Sequence, residues 1–514
     1  MSEAQKRPWD AAWPAHVPRS LSYPSVPAWW LLEKNLPRYA DRPAINFLDH
    51  ASGASIQILT YGQLWELARR MAAALTQAGV QRGDRVAFYL PNSPELVAAF
   101  YGTWLAGGVG VPCSTMSTAR ELAHELEDSS SSVVLCAADL LPVVKPLGLR
   151  TICDFRHLPE PLPSPVDVDP TRDVALLLYT GGTTGLPKGA MLTHANIVVN
   201  TLQFVTWYDF AAGQETCISV LPLAHSGGMA GAMNVPLHAG ASILLMQRFN
   251  ACTVANAIAT HRATRFFGVP TMYVAILNDE QARRADFSSL KACRTNAAPL
   301  PEAVKRAFDE LAGRELLVEG YGLTEASPLT HANPLHRPKG GSIGIPLADT
   351  DARIVDDDGL DVPAGASGEL MIRGPQVMKG YWRNPEETAA ALKDAWLRTG
   401  DVARMDDDGY FYVVDRKKDC INTAGFKVWP REVEEVIYRH PAVHLVAVLG
   451  TPDEYRGEAV KACVVLKPGQ QLEPEELRMF CREQLARYKI PRVVEFRDAL
   501  PTSGAGKILR RELR

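Results

Sequence analysis

The chain has 514 residues, with 54 Lys and Arg against 58 Asp and Glu, for a formal net charge of -4. That balance argues against sequence-independent nucleic-acid binding, which needs a basic excess. Apolar residues make up 46% and charged residues 22%, the composition of a globular protein long enough for about two to four structural units around large cores.

Nine cysteines, scattered and without a C-x-x-C, argue against a disulfide framework or a zinc site and for a reducing cytoplasm. Met1 to Asp10 is polar and lacks the apolar core of a signal peptide. In chain order, Thr60 to Ala78 sets Leu64, Leu67, Ala68, Met71, Ala72 and Leu75 at helical spacing before Gly79. Arg85 to Leu90 reads as a buried strand, and Ser93 as the N-cap of the next helix. The uncharged run Leu96 to Cys113 is long enough to span a membrane, but its four glycines and its Pro112-Cys113 end predict a buried helix and then a strand. Thr118 to Glu121 is a capping box, and Ser132 to Cys136 is strand-like. Leu158 to Pro170 is a Pro-rich connector. Strand signals return at Val174–Tyr179, Ile218–Leu223, Ile243–Met246 and Arg265–Val269. Strands alternating with helices predict an α/β fold of helix-covered, mostly parallel sheets. The charged run Asp415 to Asp419 marks a composition change, and the remaining residues to Arg514 suit a small α+β domain. We place the boundary there, with domains at 1–417 and 418–514.

The most informative segment is Tyr179-Thr180-Gly181-Gly182-Thr183-Thr184-Gly185-Leu186-Pro187-Lys188-Gly189, a loop leaving a strand. Glycines let the backbone approach a phosphate, threonine hydroxyls add donors and Lys188 adds positive charge. It is not a Walker A loop, since no Gly-Lys-Ser/Thr stands at the required spacing. Gly506-Lys507 fails the same test, because Ile508 follows and Pro501 stands where the first glycine belongs.

The loop resembles the phosphate-binding signature of the adenylate-forming superfamily, with Gly182 where that family usually has serine. Further segments resemble the same family in the same order. Leu221 to His225 resembles the stretch whose histidine borders the acyl pocket, although His225 alone would read as a packed core histidine. Asn296-Ala297-Ala298-Pro299 resembles the adenine turn, and Gly320-Tyr321-Gly322-Leu323-Thr324-Glu325 the segment that stacks a tyrosine on adenine. In that segment the resemblance gives Thr324 to the α-phosphate and Glu325, with Thr184, to Mg²⁺. Asp401 and Arg416 match the ribose-binding pair and Lys418 the hinge. Gly425, Phe426 and Lys427 match the loop beside the pantetheine tunnel, and Lys507 the C-terminal catalytic lysine.

The resemblance implies an ATP-dependent ligase that forms an acyl-AMP and passes the acyl group to coenzyme A. It implies a large N-terminal domain with a β-barrel-like subdomain, followed by a small mobile α+β domain. Lys507 then serves the first step, and rotation about Lys418 brings Gly425 in for the second. The chain ends directly after the lysine motif, so a peptide-synthetase module with a carrier domain is not expected. Ser226, Gly228, Met229 and Met233 after His225 are small or apolar. With no cation apparent there, a medium- or long-chain fatty acid is the first expectation and an aryl acid of the cinnamate or benzoate type the second. A nucleotide-binding regulator without catalysis is a third reading, disfavoured because Lys507, Glu325, Asp401 and Arg416 are all present. A small-molecule acid, ATP and CoA are the partners expected, without nucleic acid or an integral membrane segment. Assembly as a homodimer and regulatory acetylation of Lys507 fit the same reading.

Overall fold

The computed structural model describes residues 7–180, 187–296, 298–424, 426–453, 455–502 and 508–513, with the side chains of Lys418 and Arg511 outside that description. Local capping sets the first helices. The Thr60 hydroxyl accepts from the Gln63 amide while the Gln63 side chain returns to the Thr60 amide, opening the helix Tyr61–Gln77. Its stripe of Leu64, Ala68, Met71, Ala72 and Leu75 is buried, and Gly79 follows at φ +89°. Ser93 caps Pro94–Leu105 in the same way, accepting from Leu96 at 3.2 Å. Glu95 alone of that helix escapes burial. Gly102 is obligatory in it, because a Cβ there would stand 2.7 Å from the Met71 Cβ on the neighbouring helix. The uncharged run is therefore a core helix followed by the buried strand Val109–Pro112. Among the described residues no helix is long and apolar enough to cross a membrane.

Two large sheets carry the first part of the chain. One has nine strands; its parallel core runs Leu317–Gly322, Ala292–Thr295, Arg265–Gly268, Thr216–Ser219, Ser242–Met246 and Pro43–Leu48. The other has seven, with Val109–Pro112 between Val174–Thr180 and Arg85–Tyr89. The expected strand at 218–223 stops at Ser219. Pro222 has no N–H for a ladder, and Asn92 holds the turn instead, donating to the Leu221 carbonyl and accepting from the Leu223 amide, both at 2.9 Å.

A five-stranded antiparallel sheet, including Ser367–Arg373, Trp396–Met405 and Phe411–Arg416, takes the place of the barrel-like subdomain. The last sheet pairs Val443–Asp453 with Gly457–Leu466 and carries the helices Pro430–Tyr438 and Pro474–Arg482 over its own apolar core. The chain is thus mostly α/β in its first part, with the five-stranded antiparallel sheet added, and α+β at its end, as the sequence predicts.

Arg431, in the first turn of Pro430–Tyr438, joins these parts. Its guanidinium donates to the Val413 carbonyl at 2.6 Å and lies 4.0 Å from the buried Glu319. Burial pushes the Glu319 carboxyl up to about 7, against the opposing pull of Arg431. A carboxyl raised in the folded state stabilises the fold below its ordinary pKa and loses that contribution as pH rises through the folded value. Wild-type Tm is therefore expected to fall between about pH 5 and about pH 8, and Glu319→Gln to flatten that slope, with a difference on the order of 3 kcal/mol at the alkaline end. Calorimetry of both proteins across that window checks it; parallel curves would contradict the buried, protonated Glu319.

Candidate active site

The loop grows out of a hairpin. Val174–Thr180 pairs antiparallel with Lys188–Thr193, Thr180 opposite Lys188. Gly181, Gly182, Thr183, Thr184 and Gly185 lie outside the described residues. Both ends of the segment are braced by the helix Ala119–Ser129: the Tyr179 hydroxyl donates to Asp128 at 2.6 Å, and the His124 ring stands 3.3 Å from the Pro187 carbonyl. Burial, with Asp128 beside it, raises the Tyr179 phenol and keeps it a donor.

Lys188 pairs with Glu387 at 2.6 Å and lies 5.6 Å from the centre of the Tyr381 ring. The Tyr381 hydroxyl in turn donates to Glu325 at 2.8 Å. Lys188, Tyr381 and Glu325 thus stand together although their sequence positions are far apart. Tyr381 and Glu387 carry no sequence signal of their own.

Across from this group the strand Leu317–Gly322 delivers Gly320, Tyr321 and Gly322. Gly322 admits no side chain, since a Cβ would sit 2.1 Å from the Pro328 carbonyl oxygen. The Tyr321 hydroxyl donates to Asp401 at 2.5 Å, and Arg416 Nε lies 3.5 Å from the other Asp401 oxygen. Asp401 and Arg416 face each other in register on adjacent strands. Tyr321 is half-buried, its phenol raised by desolvation and by the Asp401 charge, and its ring meets His331 edge to face at 6.0 Å.

Ser226 Oγ lies 3.3 Å from Thr324 Oγ1, which brings the segment after His225 to the same place. Asn296 is buried there, its amide nitrogen 3.7 Å from where a Gly227 Cβ would be. Ala298 and Pro299 follow at the surface end of that strand, and Ala297 lies outside the described residues. His225 is half-buried; desolvation of its ring lowers the imidazole pKa and keeps it neutral, and Nε2 has no hydrogen-bond partner among the described residues.

Beyond it, Gly228–Asn234 is a π-helical turn that runs into Val235–His238. Such wide turns recur at functional sites. This one follows from its small residues: a Cβ on Gly228 would meet the Pro222 carbonyl oxygen at 2.1 Å, and one on Gly231 the Phe267 ring at 2.1 Å. Met229 and Met233 are fully buried in the main core. The small apolar residues are plain in the sequence; the irregular helix is not.

In the C-terminal part Lys418 lies in the short turn Lys417–Asp419. Gly425 and Lys507 lie outside the described residues. Phe426 is exposed and stacks on Tyr488 at 4.7 Å, with Lys427 exposed beside it. The residues after position 507 are anchored by Arg510, which contacts Glu434 at 2.7 Å and Asp415 at 3.5 Å.

Two helix-covered, mostly parallel sheets, a glycine-rich hairpin and a tyrosine–aspartate–arginine cluster beside them define a nucleotide-using α/β enzyme. Residues 32–382 match the AMP-binding enzyme family and residues 432–507 the AMP-binding enzyme C-terminal domain. The chain belongs to the AMP-binding enzyme family. It is 39% identical to a long-chain-fatty-acid–CoA ligase of Bacillus subtilis, over 99% of this chain and 98% of the relative. It is 41% identical to a feruloyl-CoA synthase of an Amycolatopsis species, over 89% of this chain and 93% of that protein. Among solved structures, an anthranilate CoA ligase in complex with anthranoyl-AMP superposes with a TM-score of 0.88 at 29% identity, covering 96% of this chain and 97% of the other.

Proposed function

We infer that the chain is an ATP-dependent acid–CoA ligase that works through an acyl-adenylate, and we propose that its acid is a medium- or long-chain fatty acid. The observation that carries this reading is the convergence of Lys188, Glu325, Thr324, Tyr321, Asp401 and Arg416 around one hairpin, together with full-length similarity to a fatty-acid–CoA ligase. An aryl acid is the second reading, favoured by the feruloyl-CoA synthase likeness.

Carboxylate oxygen is a poor leaving group. Attack of the ionised acid on the α-phosphate of ATP expels pyrophosphate and makes AMP the leaving group for the thiol of CoA. Thr180, Gly181, Gly182, Thr183, Thr184, Gly185 and Lys188 would cradle the phosphates. Asn296 to Pro299 and Gly320 to Gly322 would hold adenine, and Asp401 with Arg416 the ribose. His225, Ser226, Gly228, Met229 and Met233 would line the acyl site.

Glu325 suits Mg²⁺, since one carboxylate plus phosphate oxygens is a usual way to hold that ion. Its Oε1 accepts from Tyr381, which would fix the carboxylate's orientation; bound there, Mg²⁺ would neutralise phosphate charge. Thr184 would be the second protein ligand. We place the domain boundary at 417/418, with residues 418–514 turning about Lys418, so that Lys507 serves adenylation and Gly425, Phe426 and Lys427 serve thioester formation. The gap between the two family matches, 382 to 432, supports a boundary in that region. Acetylation of Lys507 would remove the adenylation charge, and a cytoplasmic site of action fits the free cysteines.

Pyrophosphate release is expected on mixing the protein with ATP, Mg²⁺ and fatty acids. Each added methylene should contribute up to ~0.8 kcal/mol, so four should raise kcat/KM by roughly two orders of magnitude. Cinnamate above every fatty acid would turn the reading to aryl acids, and no pyrophosphate with any acid would refute it.

A further inference from the structure

The cluster beneath the acyl segment contains a cation that no local motif announces. Arg294, on the strand Ala292–Thr295, is 4% exposed. Its guanidinium carbon lies 4.1 Å from the centre of the Phe267 ring and 4.2 Å from that of Phe204, with Tyr208 at 5.6 Å. None of its three guanidinium nitrogens makes a hydrogen bond among the described residues. The Tyr208 hydroxyl is near enough to favour the charge, and among the described residues it has no other partner. Burial lowers the guanidinium pKa to about 10, which leaves it charged at neutral pH.

Aromatic faces can stabilise a cation, but they do not satisfy its five N–H donors. A buried arginine ordinarily faces a carboxylate. Among the described residues the other buried arginines follow that rule: Arg265 pairs with Glu215 at 3.0 Å and Arg431 with Glu435 at 3.2 Å. Arg294 is built differently, as a donor fork held by rings.

Its position gives that fork a use. Gly227, at the reacting end of the site, faces Asn296. About one helical turn further on, Gly231 faces the Phe267 ring, and the same ring receives Arg294. Arg294 and Phe267 are register partners on adjacent strands, so they share a sheet face. Asn296 follows Arg294 by two residues, a separation of roughly 7 Å along an extended chain. An acyl group that reacted beside Thr324 and ran along the π-helical turn past Asn296 would approach the guanidinium from the Phe267 side.

We propose that Arg294 is a specificity-determining residue of the acyl site, which accepts an oxygen, carboxylate or phenol, at the end of the acid remote from the reacting carboxylate. This rests on the acid–CoA ligase reading above and adds to it a preference, at equal length, for acids that carry an oxygen at the remote end. A site whose buried donors await an acceptor rejects the analogue that lacks one, because binding the analogue leaves those donors unpaired.

The test is ATP-dependent pyrophosphate release with α,ω-dicarboxylic acids of six to twelve carbons, each beside the monoacid of equal length, and with 4-hydroxycinnamate beside cinnamate. For at least one pair the oxygenated acid is expected to win by on the order of 10²-fold in kcat/KM; which pair wins tells carboxylate from phenol. Arg294→Met should reverse that preference, lowering the oxygenated acid about 10²-fold while raising its plain partner, and Arg294→Lys should restore part of it. Plain acids equal or better in every pair, with pyrophosphate still released, would overturn the role of Arg294 and leave the ligase reading standing. No release with any acid would overturn the ligase reading itself. If Arg294→Met fails to fold, the wild-type comparison and Arg294→Lys decide the matter alone.

Discussion

Lys507→Ala is expected to lower pyrophosphate release by on the order of 10²–10³-fold or more, while thioester formation from supplied acyl-AMP survives. In the first half-reaction negative charge gathers on the α-phosphate, and losing one preorganised donor at such a centre has that magnitude of cost. The nucleophile is already an anion near neutral pH, so no base is lost with the lysine. In the proposed second arrangement Lys507 has turned away and its side chain is irrelevant. The two rates must therefore be measured separately, one as pyrophosphate from acid and ATP, the other as acyl-CoA from acyl-AMP and CoA. Equal losses in both, with Tm unchanged, would mean that Lys507 acts without the domain rotation. Normal adenylation would remove it from the mechanism.

Much of this site is legible in the sequence, because the residues proposed to touch phosphate and ribose come in short local runs. Tyr179 to Gly189, Gly320 to Glu325 and Asp401 with Arg416 can be read as chemistry in one dimension. Helix starts are equally legible, since a capping box such as Thr60 with Gln63 is satisfied within four residues. Long-range packing decides the rest, and it is hidden. Tyr381 reaches Glu325 across 56 positions, Asn92 pins a turn 129 and 131 residues away, and Arg294 meets Phe204 across the sheet face. The strand expected through Leu223 fails for a local and visible reason, the missing N–H of Pro222. The π-helical turn has a visible cause too, glycines at positions 228 and 231, but its close neighbours, the Pro222 carbonyl and the Phe267 ring, emerge only in the fold. The proposed role of Arg294 at the acyl site is hidden for the same reason: it lies on another strand, outside the segment after His225.

Asp401→Asn is expected to raise KM for ATP strongly while changing KM for the acid little, with kcat/KM for ATP falling on the order of 10²-fold. Asp401 is 8% exposed and both its oxygens are engaged, one by the Tyr321 hydroxyl and the other by Arg416. A carboxylate held this firmly presents its remaining lone pairs in one direction, where vicinal ribose hydroxyls could donate. Hydrogen bonds to a charged acceptor contribute about 1.5–3 kcal/mol each, and roughly 1.4 kcal/mol is tenfold. Exchanging the carboxylate for an amide weakens both bonds and leaves Arg416 without its partner, so a hundredfold loss is the sum of modest terms. Tyr321→Phe separates support from contact. It keeps the ring but frees one Asp401 oxygen to reorient, and should show a smaller rise in KM for ATP with kcat nearly unchanged. If Asp401→Asn instead altered the acid's KM and left that for ATP alone, the cluster would face the acyl group, and the nucleotide would have to sit elsewhere along the strand ends.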